Sequence, residues 1–147
     1  MKIKSLVLGI GMLSLLPVNK FVAQSDQKIP VEIVDYSVDV LGRSLVYHVK
    51  EGIRSSNAFR LSYGNEVRLQ LIIETGDPLD AIPEYSNSMT VYSVVWVLKG
   101  DDLSSPAPIY LRSMLNRTGG DAIKVTAENI VVETDRLVTD ILRYLSP

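Results

Sequence analysis

The chain has 147 residues, 46% of them hydrophobic and 22% charged, with a formal net charge of −2, which is enough apolar material for one core and one domain. It has no cysteine and one histidine, which excludes disulfides, thiolate nucleophiles and a zinc site built from several cysteines or histidines of one chain. The slight acidity argues against an electrostatic nucleic-acid binder, which is usually basic.

Met1 to about Ser25 reads as a secretory signal peptide. Lys2 and Lys4 form a positive start, Ser5 to Leu16 an apolar run ended by Pro17, and Ala23-Gln24-Ser25 offers small residues for cleavage. The run is shorter than the roughly 20 apolar residues that span a bilayer, so cleavage is expected rather than anchoring. No cysteine stands at the cleavage point to carry a lipid. Lys2, Lys4 and Lys20 leave with the leader and no acidic residue does, so 12 of the 15 basic residues remain against 17 acidic ones, a net of −5. That charge further disfavours nucleic acid and anionic membrane as partners. The expected location is periplasmic or secreted, with residues 26–147 forming a single α/β domain.

Asp26 to Lys28 is a polar leader, expected to be mobile. Pro30 opens a strand-like stretch, Val31 to Tyr36, with Val31 and Ile33 on one face. Val38, Leu41, Leu45, Val49 and Ile53 then recur at spacings of three and four, the stripe of an amphipathic helix. Ser37 or Asp39 can cap it. Gly42 inside that helix costs stability relative to alanine, which implies a close approach to the sheet. Ala58 to Tyr63 reads as a short strand and Gly64-Asn65 as a turn. Val67, Leu69, Leu71 and Ile73 alternate with polar residues, as in a half-buried strand. Thr75 to Ser88 reads as a loop.

Thr90 to Leu98 is the longest apolar run outside the leader, dense in β-branched and aromatic residues, and reads as the central strand. Residues 101–108 form a second loop. Ile109, Leu111, Ser113 and Leu115 alternate with Tyr110, Arg112 and Met114 in another strand. A paired-glycine turn over 117–121 precedes a last helix from about Ala122 to Tyr144. Its stripe is Ile123, Ala127, Ile130, Thr134, Leu137, Ile141 and Leu145, with Asp121 as N-cap. The expected fold is α+β, in two layers: a mainly antiparallel sheet of four to five strands with two helices on one face.

No motif identifies a reaction. His48 lies beside the first helical stripe with no nucleophile or orienting carboxylate evident from the sequence, and reads as a helix-surface residue. Asp77, Asp80 and Glu84 share one loop but lack the spacing and turn glycine of a calcium loop, so they read as a solvated acidic loop. Asp101-Asp102 reads as a solvated turn. Gly119-Gly120-Asp121 lacks the lysine and longer glycine pattern of a phosphate loop. Asn116-Arg117-Thr118 fits a glycosylation acceptor, seldom used in a bacterial chain. There is no Gly-x-Ser-x-Gly, and Ser25-x-x-Lys28 falls in the leader region. No cofactor or metal is implied.

The sheet face turned away from the helices is the candidate binding surface. If Val67, Leu69, Leu71, Val91, Val95, Ile109 and Leu111 face the helices, the pleat sends Arg68, Gln70, Tyr92, Trp96, Tyr110 and Arg112 outward. Tyr, Trp and Arg are enriched at binding hot spots. The competing reading is that this face is covered, by the 75–88 loop for example. The expected function is a secreted or periplasmic, non-enzymatic binding domain recognising an envelope protein or cell-wall component. The alternative is a small exported hydrolase with a site built from loops 75–88 and 101–108.

Three stretches carry a resemblance: Leu41-Gly42-Arg43-Ser44-Leu45-Val46-Tyr47 with Glu51-Gly52-Ile53-Arg54-Ser55-Ser56; Tyr92-Ser93-Val94-Val95-Trp96; and Gly120 with Ala127-Glu128-Asn129-Ile130 and Thr134-Asp135. Together they resemble a family of small exported bacterial proteins without an assigned function. Such relatives often have a cysteine near the turn before the last helix; Thr118-Gly119-Gly120 stands there instead, so no redox role carries over. The element order is more loosely similar to small periplasmic α/β domains such as the N-terminal domain of TolB and the curli-secretion and penicillin-binding-protein-activator lipoproteins. That likeness implies a fold and not a function.

Overall fold

The computed structural model describes residues 28–100 and 107–145. Residues 1–27, which include the stretch expected to be a leader, and residues 101–106 of the second loop lie outside the described residues. In chain order the elements are β1 (Ile29–Ser37), α1 (Val40–Ser55), β2 (Phe59–Leu61), β3 (Arg68–Gly76), β4 (Met89–Lys99), β5 (Ile109–Gly119), a 3-10 turn (Gly120–Ala122) and α2 (Ile123–Leu145). The strands form one mixed sheet in the order β2-β1-β3-β4-β5. β1 runs parallel to both β2 and β3, while the two long ladders β3–β4 and β4–β5 are antiparallel. This is the expected α+β architecture, with both helices packed on one face.

Register fixes which residues meet the helices, because side chains paired across strands share a face. Val31 pairs with Leu69, Leu69 with Leu98, Leu71 with Trp96, and Ile73 with Val94. Leu45, Val46, Val49 and Ile53 of α1 and Ile123, Ala127, Ile130, Leu137 and Val138 of α2 close over them into one buried cluster. The described members of both helical stripes therefore pack as their periodicity requires, and the Leu145 side chain lies outside the described residues. Val38 is the exception: at 74% exposed it precedes the helix and is not part of its stripe.

α1 begins where Asp39 caps it, its Oδ1 accepting the Gly42 amide at 2.7 Å. The other oxygen, Oδ2, accepts the hydroxyls of Thr75 at 2.7 Å and Thr90 at 3.0 Å. One carboxylate thus joins the helix start to the ends of β3 and β4. Gly42 is required by that contact: a Cβ there would stand 1.8 Å from Thr75 Oγ1. Asp121, expected as the cap of α2, lies within the 3-10 turn that leads into it.

β4 and β5 depart from the expected facing. Tyr92, Val94 and Trp96 point to the helices and Val91, Val95 and Val97 away, the reverse of the expected parity. A register shift at Trp96/Val97 then changes the phase of β5. Tyr110 faces outward opposite Val97, while Arg112 lies opposite Trp96 on the helix face.

Candidate functional site

The six residues expected on one outer surface separate into three environments. Trp96 is 1% exposed and its Nε1 donates to Thr134 Oγ1 of α2 at 2.9 Å. That hydroxyl in turn donates to the Ile130 carbonyl at 2.8 Å. The indole therefore has its polar partner inside the core. Tyr92 is also buried on the helix face, and burial pushes its phenol above the usual tyrosine range. Arg112 reaches up to α2, its Nη1 3.2 Å from Glu133 and its Nη2 4.0 Å from Asp140. Trp96, Tyr92 and Arg112 are thus corrected from outer-face to helix-face residues.

Arg68 and Gln70 do lie on the outer face, but they are buried. Arg68 Nε and Gln70 Nε2 both donate to Glu32 Oε2, at 2.6 and 2.8 Å, and Arg68 Nη1 donates to the Glu66 carbonyl at 3.1 Å. Burial alone would raise the Glu32 pKa. The donors Arg68 and Gln70, with the positive charges of Arg68 and Lys99, outweigh burial and hold it below the ordinary value. This cluster is engaged with itself and is not a free recognition group. Tyr110 alone of the six is both outward and exposed, at 62%.

The outer face itself is real, with different residues on it. Register gives three successive rungs across β1, β3, β4 and β5. The first is Glu32, Gln70, Val97 and Tyr110. The second is Val34, Ile72, Val95 and Ser113. The third is Tyr36, Glu74, Ser93 and Leu115. Val34, Ile72 and Val95 are half-buried, and Tyr36 and Leu115 are exposed. Cover on this face is uneven: Gln70 and Val97 at the first rung, and Arg68 beside it, are buried, and exposure rises toward the third rung. Val34, Ile72 and Val95 are unremarkable aliphatics in the sequence; only the register of four strands brings them into one row.

The chain matches no family model, and no curated protein is similar to it in sequence. Its own geometry therefore has to carry any functional reading.

The residues weighed for catalysis are dispersed. His48 sits on α1 with its ring edge-on to Tyr47, centroids 5.3 Å apart. It lines an open groove of about 610 Å³ between the helices with Glu51, Gly52, Ala127, Glu128 and Val131. Gly52 lets the helices approach there, since a Cβ would stand 2.8 Å from Val131 Cγ2. In the 75–88 loop, Asp77 uses both oxygens on backbone amides, Leu79 at 2.8 Å and Asn87 at 2.6 Å. Asp77 thus closes the loop on itself, aided by Asn87 in the left-handed region at φ 61°. Asp80 and Glu84 are exposed. Among the described residues, no three His, Asp or Glu side chains converge so that they could hold a metal ion. Nor is any described helix long and apolar enough to cross a membrane.

Proposed function

We propose that this chain is an exported, non-enzymatic interaction domain that recognises a protein or cell-envelope component through the open face of its sheet. The observation that carries the reading is the half-buried row Val34, Ile72 and Val95, flanked by the exposed Tyr36, Tyr110 and Leu115, on the sheet face turned away from the helices. Contiguous apolar surface held on a rigid sheet gains free energy when a partner removes it from water. Export rests on the leader pattern of residues 1–25. The resemblance to small exported bacterial proteins points the same way.

The test is photo-crosslinking in the producing cell, with a photoreactive residue at position 72 or 95 and a control at Val125, an exposed position on α2. The expected result is a discrete adduct from the two sheet positions and none from 125. Adducts from 125 and not from the sheet would place the contact on the helix layer and refute the reading.

A further inference from the structure

The two edges of the sheet are unlike. β2 closes one edge with three residues, whereas β5 closes the other with eleven. β5 reads Ile-Tyr-Leu-Arg-Ser-Met-Leu-Asn-Arg-Thr-Gly, without proline, lysine or an acid. A strand in that position presents a row of backbone N–H and C=O groups on its free side, a template for another strand. Proteins ordinarily blunt such an edge by shortness, proline, lysine or a bulge. Here β5 carries one bulge, at Leu111 between the partners of Trp96 and Val97, and beyond it the ladder is regular from Arg112 to Gly119. The side chains on this edge include Leu115, 75% exposed, and Tyr110.

The charges beside the edge indicate what kind of strand fits. Arg112 is already matched to Glu133 and Asp140 of α2, which also pair with Arg136 and Arg143. The flank above β5 therefore alternates in sign. A strongly basic or strongly acidic partner would meet repulsion there, whereas a second copy related by a twofold axis offers both signs in return.

We infer that β5 is the seam of a homodimer, in which two copies pair β5 antiparallel about a twofold axis normal to the sheet. The sheet becomes continuous through ten strands, twice the five of one chain, with all helices on one face. The register follows from two requirements. A twofold normal to the sheet keeps each face on its own side, so helix-face residues must oppose helix-face residues, and the axis passes between the two copies of one residue. Centring on Met114, the midpoint of Ile109–Gly119, aligns the two strands end to end, with regular pairing over Arg112–Asn116 inside the bulges at Leu111. It sets Ser113 opposite Leu115 and Arg112 opposite Asn116, and brings no two arginines face to face. This inference is independent of the open-face reading and holds whether or not that face binds a partner.

Sedimentation equilibrium of the mature chain is expected to show a concentration-dependent dimer. Leu115→Lys and, separately, Ser113→Lys are expected to give monomers with unchanged circular dichroism and melting, because both positions are exposed. Since the chain has no cysteine, single-cysteine variants report the register. An equimolar mixture of Ser113→Cys and Leu115→Cys chains, oxidised with glutathione disulfide, is expected to cross-link to each other several-fold faster than either does to itself. A chain that stays monomeric to millimolar concentration overturns the inference. So does a dimer indifferent to both lysine variants, or protection of β5 amides from exchange only after another protein's peptide is added.

Discussion

Asp39 holds three separate parts of the fold through two oxygens: the first turn of α1, the end of β3 and the start of β4. Burial would raise its pKa, but the hydroxyl of Thr75, the amide of Gly42 and the hydroxyl of Thr90 together hold it below the ordinary value. A depressed folded-state pKa contributes stability that is present above the unfolded value, here 3.8, and lost as pH falls through the folded one. Asp39→Asn removes that titration. The stability difference between parent and variant in urea melts should therefore be flat above about pH 5 and shrink in more acid buffer; a difference that grew on acidification would contradict the assignment. Gly42→Ala tests the same junction sterically. Alanine favours a helix by about 1 kcal/mol over glycine, yet here the added methyl collides with Thr75. The variant should lose about 1–3 kcal/mol, as overpacked sites do. Trp96 provides the third test. Its emission should be blue-shifted and poorly quenched by acrylamide, and Trp96→Ala should cost about 3–5 kcal/mol. A red-shifted, quenchable tryptophan would restore it to the surface.

At the scale of elements, the two helices carry the largest share of what can be tested by truncation. Leu45 and Leu137 sit at the centre of their stripes and are buried. Leu45→Ala and Leu137→Ala should each cost about 2–5 kcal/mol in denaturant melts. Both helices, their faces and all five strands are legible in the sequence, because a helical stripe of apolar residues has one possible inward direction. The facing of β4 is not legible in the same way. Its odd residues Val91, Val95 and Val97 and its even residues Tyr92, Val94, Trp96 and Leu98 are both apolar, so alternation gives two equivalent answers that differ by one residue of register. The structure resolves the choice by volume and polarity. The large indole fills the space under α2 and finds its partner in Thr134, while the smaller valines turn to the other face, Val91 and Val95 half-buried and Val97 buried. The same ambiguity misplaced Arg112, whose phase also depends on the irregularity at Trp96/Val97. Glu133 and Asp140, seven residues apart on α2 and so on nearly one face, were the available signal that a cation lies beneath them. The Arg68–Glu32–Gln70 cluster escaped because it spans β1 and β3, whose adjacency depends on the parallel pairing of strands distant in the chain.

At the scale of the molecule, the helices cover one face of the sheet, while on the other Val34, Ile72 and Val95 stay half-buried and Tyr36, Tyr110 and Leu115 exposed. The leader adds a separate expectation: the exported chain should begin near Gln24 or Asp26, which N-terminal sequencing of material from the producing cell will show, and an intact Met1 in the membrane fraction would contradict. The central claim is that the row Val34, Ile72 and Val95 is the contact surface and that Trp96 lies beneath α2. Carbene footprinting of the mature protein, alone and with an envelope fraction, tests both halves together. The account predicts labelling at Ile72, Val95 and Leu115 in the free protein, none at Trp96, and loss of the Ile72 and Val95 labels when the envelope fraction is added. Labelling of Trp96 in the folded protein, or protection confined to the groove around His48, would contradict it.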